Sequence, residues 1–215
     1  MIKKWINRYK ALKHVVLLGD DARFFPHKDV QFFIEHSAQV IIEKGVLTLG
    51  YRLPKIKSRP TYDKSVFVLE KNATLQISGD VFIAPGFYFH VRNGGKVVFR
   101  GQNWIAHNCT MICSNYMEFG MNASLSWNVT MIDDDGRSFF TVEGSPIKKE
   151  TCSLILKDNV GIQMNVVIPK GVEIGRNSIV GANTVVRQNI PENCLVYQNP
   201  ELKIRYGTTT GLQNI

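Results

Sequence analysis

From Leu156 onward a branched apolar residue recurs at every sixth position: Leu156, Ile162, Ile168, Ile174, Val180 and Val186. This spacing suits neither an amphipathic helix, which places apolar residues at i, i+3, i+4 and i+7, nor a half-buried strand, which alternates strictly. A period of six does fit a coil with three short sides, each sending one aliphatic residue inward. Gly175-Arg176-Asn177 and Gly181-Ala182-Asn183 then supply the corners, because glycine and asparagine enter positive φ at low cost. The expected fold class is all-β, a parallel β-helix solenoid.

The same phase continues upstream through Ile77, Ile83 and Phe89, then Phe99, Ile105, Met111 and Met117. After a two-residue shift it resumes through Phe119, Leu125 and Met131. Most of the chain therefore reads as one repeating array. The N-terminal stretch differs. Ile2, Trp5, Ile6, Tyr9 and Leu12 share one helical face, and Lys3, Lys4, Arg8, Lys10 and Lys13 take the others, which predicts a short basic amphipathic helix. It would either pack on the solenoid or lie on an anionic membrane surface. The expected organisation is residues 1–35 for the helix and lead-in, 36–206 for the β-helix with a loop excursion at 133–152, and 207–215 for a short C-terminal tail.

A net charge of +8 suits a binder of anions. Its cations are scattered after the first fourteen residues and no nucleic-acid motif accompanies them, so nucleic acid is not an expected partner. The four cysteines, Cys109, Cys113, Cys152 and Cys194, form no CxxC pair and have no histidine at zinc-finger spacing. They read as buried free thiols, with no metal site expected. The N-x-S/T triplets at Asn72, Asn108, Asn122 and Asn128 read as corner asparagines rather than glycan acceptors. The sequence shows no membrane-spanning apolar run and no signal-peptide pattern, so the expected location is cytoplasmic, with the inner face of the membrane as a docking place for the basic helix.

The run Val166-Val167-Ile168-Pro169-Lys170-Gly171-Val172-Glu173-Ile174-Gly175-Arg176-Asn177-Ser178-Ile179-Val180-Gly181-Ala182-Asn183-Thr184-Val185-Val186, followed by Ile190-Pro191 and Asn199-Pro200, resembles the end of the bacterial hexapeptide-repeat acyltransferases. The mid-chain stretch Leu125-Ser126-Trp127-Asn128-Val129-Thr130-Met131-Ile132-Asp133-Asp134-Asp135-Gly136 is similar to sugar O-acetyltransferases of surface-polysaccharide synthesis, and weaker patterning reaches back to about Ile41. The resemblance implies a left-handed coil and a homotrimer. It also implies acetyl-CoA as acyl donor along the outer wall between two subunits, with a nucleotide- or lipid-linked sugar acceptor in the same groove. The donor would meet Gly181, Ala182, Arg187, Gln188 and Asn199.

The repeat breaks at Asp133 and resumes near Leu154, and an insertion of this kind is a good place for function. In the family the aspartate-rich turn precedes a histidine that takes the proton from the acceptor hydroxyl. Here that position is Arg137, whose pKa stays above about 12, so it cannot act as a base near neutrality. Asp133 or Asp135 could act instead if repulsion or burial raised a carboxylate pKa; alternatively both cap the turn and pair with Arg137. His107 and His90 lie on the solenoid wall as further candidates. Gly161-Ile162-Gln163 stands where relatives have Trp-Ile-Gly, and Arg187-Gln188 where they have Thr-Lys. Two readings follow: an O-acetyltransferase with a non-histidine or relocated base, and a non-catalytic scaffold or sugar-binding partner that keeps the fold.

Overall fold

The computed structural model describes residues 11–52, 64–134, 141–143 and 153–198. The chain winds through a three-sided prism, and each of the first six turns lays one strand on each of three parallel sheets. The first coil is β1 (Val15–Leu17), β2 (Arg23–Pro26) and β3 (Gln31–Ile34), and the second is β4 (Gln39–Lys44), β5 (Val46–Leu49) and β6 (Val66–Leu69). Next come β7 (Thr74–Ser78), β8 (Val81–Ile83) and β9 (Tyr88–Val91), then β10 (Lys96–Phe99), β11 (Asn103–Ile105) and β12 (Thr110–Cys113). The fifth coil is β13 (Tyr116–Phe119), β14 (Ser124–Leu125) and β15 (Thr130–Ile132), and the sixth is β16 (Leu154–Leu156), β17 (Gly161–Ile162) and β18 (Val167–Ile168). β19 (Glu173–Ile174), β20 (Ile179–Val180) and β21 (Leu195–Val196) complete the top. Face A carries β1, β4, β7, β10, β13, β16 and β19; face B carries β2, β5, β8, β11, β14, β17, β20 and β21; face C carries β3, β6, β9, β12, β15 and β18.

All sixteen of the inward positions named from the sequence, from Ile77 to Val186, are buried. They stack in columns because parallel strands pair in register, as in Phe67, Phe89, Met111, Met131 and Ile168 along face C. The two-residue shift has a simple cause. β13 sends both Met117 and Phe119 inward, so its side of the triangle is longer than a bare hexad. The Phe99 and Phe119 rings stack at 4.3 Å, and burying each such ring contributes roughly 1.5–3 kcal/mol.

Corners supply the remaining regularity. Nine asparagines and Gln102 are the non-glycine residues at positive φ among the described residues, and Asn72, Asn108, Asn122 and Asn128 of the N-x-S/T triplets are four of those nine. Along the edge between faces A and B, the Asn122 side chain donates to Asn159, Asn159 to Asn177 and Asn177 to Asn193, at 3.1, 3.0 and 3.0 Å. Asn128, Asn165 and Asn183 form a second row on the edge between faces B and C.

One expectation needs correcting. The β-helix begins at Val15 rather than residue 36, since β1 pairs with β4 and β3 with β6. The hexad count misses this coil because Val15 pairs with Val40, 25 residues on, and Val40 with Leu75, 35 residues on. The amphipathic helix falls mainly on residues 1–10, outside the described residues. Helical geometry among the described residues is confined to Ala11 and Leu12, and Leu12 is 46% exposed. The 207–215 tail also lies outside them. The excursion does leave at Asp133, between β15 and β16, and a second interruption that the sequence reading did not identify separates β5 from β6.

Candidate active site

Face C and its two edges hold every described candidate residue. Asp133 follows β15 on the edge between faces C and A, and Arg187 and Gln188 lie on that same edge at the top, between the bridges Val167–Val185 and Ile174–Ile190. His107 lies between β11 and β12, on the opposite edge of face C, and Gly181 and Ala182 follow β20 on that edge. The fold therefore sets His107 and Asp133 on different edges. Asp135, Arg137 and Asn199 lie outside the described residues.

Asp133 is fully buried and continues the inward column of Leu69, Val91 and Cys113. Its two carboxylate oxygens accept the backbone N–H groups of Ser114 and Asn115 at 2.6 and 2.8 Å. A carboxylate placed so satisfies two amides where the coil opens into the excursion. Of the two roles left open for this residue, the geometry gives it the turn cap. His107 is half-buried on the wall, its ring edge-on to Trp127 at 6.3 Å.

Ala182, Arg187 and Gln188 are exposed on the last coil. Gly181 donates its N–H to Val196 at 2.7 Å, and a Cβ there would lie 3.0 Å from that of Tyr197, so glycine permits this close approach. The backbone N–H of Val185 donates to the Gln198 side chain at 3.3 Å, which ties the segment after β21 to the top of face C.

A cluster that the sequence reading did not assemble lies lower on face C. His90 and Tyr88, two apart on β9, point outward together, and Glu70 reaches His90 from the corner after β6. His90 Nε2 lies 2.7 Å from Glu70 Oε1, and Nδ1 lies 3.2 Å from the Tyr88 hydroxyl. The Tyr-x-His alternation signals a shared face. The Glu70 contact becomes visible only once the coil length is known.

Two other outer features complete the surface. On face A, Glu118 accepts hydrogen bonds from Arg100 Nε at 2.9 Å and from the Tyr116 hydroxyl. On face B, Phe82 and Trp104 stack at 4.4 Å and line a groove with Thr48 and Asp80.

A family model described as "Bacterial transferase hexapeptide (six repeats)" matches residues 154–188. The chain is 31% identical over 156 residues to the "Putative acetyltransferase" of Schizosaccharomyces pombe, covering 70% of this chain and 68% of that protein. It is 26% identical to the galactoside O-acetyltransferase of Lactococcus lactis, covering 82% and 80% of the two chains. The crystal structure of the polySia-specific acetyltransferase NeuO matches the fold with a TM-score of 0.51 at 16% identity, covering 87% of this chain and 84% of that one. Hexad register, three parallel sheets and these relatives agree: the chain belongs to the hexapeptide-repeat acyltransferase family.

Proposed function

We propose that this protein is a sugar O-acetyltransferase that moves an acetyl group from acetyl-CoA to a hydroxyl of a nucleotide- or lipid-linked sugar in surface-polysaccharide synthesis. The observation that carries this reading is the placement of the candidate residues on one face and its two edges, with Arg187, Gln188, Gly181 and Ala182 at the top and the excursion root below them. The galactoside O-acetyltransferase likeness supports a sugar acceptor. In this proposal the coil is left-handed and three copies pack with their grooves between subunits. The protein works in the cytoplasm, and the basic N-terminal segment rests on the inner face of the membrane. Arg187 supplies a cation for the CoA phosphates, and catalysis draws on holding thioester and hydroxyl together.

The test is thiol release from acetyl-CoA by the full chain, with and without a panel of nucleotide- and lipid-linked sugars. Sugar-dependent release is expected. Neither CoA binding nor thiol release with any acceptor would sink the proposal. One observation favours a second reading, a trimeric scaffold without catalysis: Asp133, a carboxylate beside the altered Arg137 position, is spent on backbone amides. That reading expects a stable trimer with no affinity for CoA.

A further inference from the structure

With arginine at position 137, a proton acceptor must come from elsewhere, and face C carries an imidazole already oriented for the task. The His90 side chain is 14% exposed, with Glu70 Oε1 at 2.7 Å from Nε2. Glu70 is itself anchored, because its other oxygen accepts the Asn93 N–H at 3.1 Å. An ionised carboxylate only accepts, so Nε2 carries the hydrogen, and the neutral ring then presents its lone pair at Nδ1. That nitrogen faces outward to the Tyr88 hydroxyl at 3.2 Å, a long contact that another hydroxyl can replace.

The position along the solenoid also fits. His90, Ile112 and Ile132 form one outward column on β9, β12 and β15, so the ring sits two coil steps, roughly 10 Å at ordinary strand spacing, below the start of the excursion. Arg92, two residues past His90, donates to the carbonyl of Asp134 at 2.9 Å, which fixes the excursion root to the same edge. The strands beside β9 present Val66 and Val68 on one side and Thr110 and Ile112 on the other, none of them titratable.

We infer that His90, oriented by Glu70, is the general base of this chain, and that the acceptor hydroxyl takes the place of the Tyr88 hydroxyl at Nδ1. The inference rests on the acetyl-transfer reading. The acceptor O–H proton passes to Nδ1 while its oxygen attacks the thioester carbonyl. The C–S bond then breaks, the acetyl ester remains on the sugar, and the imidazolium returns the proton to the departing CoA thiolate. His90 is thus a catalytic residue and Glu70 a positioning residue.

The test uses the full chain, acetyl-CoA and whichever sugar supports wild-type turnover. His90→Gln keeps an amide for Glu70 but has no basic lone pair. Its kcat should fall about 10²–10⁴-fold, with KM for acetyl-CoA changed by no more than about twofold. Glu70→Gln should lower kcat by a smaller factor and leave KM alone, a split that a merely structural contact would not produce. If His90→Gln melts early, His90→Ala with added imidazole replaces it: turnover that rises with imidazole supports the assignment, and turnover indifferent to it overturns the assignment. Undiminished kcat in His90→Gln, or a loss confined to His107→Gln, overturns His90 as base and leaves acetyl transfer standing. A wild-type chain inactive with every acceptor removes both together.

Discussion

Arg92 donates from its guanidinium to the backbone carbonyl of Asp134 across 42 residues of sequence, at 2.9 Å. The bond ties the corner after β9 to the point where the coil opens, and the same nitrogen reaches the Ser114 hydroxyl at 3.4 Å. Arg92→Met removes that charged donor. Urea unfolding should show a loss of about 1.5–3 kcal/mol, the usual range for a hydrogen bond to a charged group. An unchanged midpoint would mean that the excursion root is held by other contacts.

The asparagine row offers a cleaner test of the corners. Asn177 has φ of 58° and both donates and accepts within its row. Asn177→Ala places a Cβ residue without a local polar partner in the left-handed region, and should cost about 1–2 kcal/mol for the backbone alone. Asn177→Gly should recover most of that backbone part while losing the two side-chain bonds. Thermal melts separate the two contributions: Asn177→Ala against Asn177→Gly reads the backbone part, wild type against Asn177→Gly reads the row, and a Gly variant that melts with wild type would show that the row contributes little.

Glu118 predicts an acid limb of stability. Burial pushes its carboxyl up, but the bonds from Arg100 and Tyr116 outweigh this and leave it below the ordinary 4.5. A depressed carboxyl stabilises the fold above its unfolded pKa, and this contribution is lost as pH falls through the folded value. The stability difference between wild type and Glu118→Gln should therefore be widest at neutral pH and close below about pH 4.5. Tyr116 gives the alkaline counterpart. Burial first, then the bond to Glu118, raises its phenol from 10.0 to about 12, so its contribution is present below pH 10 and fades as pH climbs through about 12. A difference curve that is flat at both ends would remove this network from the list of stabilising contacts.

Thiol chemistry checks the core directly. Cys109 is buried and burial raises its thiol to about 12, while Cys113 is pushed up by burial and by the neighbouring Asp133. Thiolate is the reactive form, so neither should react with iodoacetamide at neutral pH until the coil unfolds. Peptide mapping of native and urea-treated protein distinguishes the outcomes, and rapid native labelling of either residue would contradict the inward column.

The fold was legible wherever one buried aliphatic per side sets the period. From Leu156 to Val186 a coil is three hexads, and Ile155 pairs with Glu173, 18 residues on. Legibility fades where strands grow: β4, β7 and β13 each bury two residues and β10 three, and β6 starts 17 residues after β5 ends. The first coil, from Val15 to Ile34, consequently had no phase to reveal it. For the candidate residues, what was legible in part is their placement. Arg187, Gln188, Gly181 and Ala182 were found at the edges of one face, because short repeats keep sequence order and spatial order together. Glu70 and His90 were not paired in advance, since their contact depends on a coil length that only the strand register supplies. Asp133 combined two features that sequence alone could not separate, an acidic residue in the aspartate-rich turn and the next step of an apolar column.

The asparagine rows give the solenoid a direction. In each, the side-chain N–H points toward the later coil and the side-chain carbonyl toward the earlier one, from Asn122 to Asn193 and from Asn128 to Asn183. Hydrogen bonds joined head to tail polarise one another. The amide dipoles on these two edges therefore add along the axis, turning their positive ends toward the terminal coil that carries Arg187, where they would attract an anion approaching from outside.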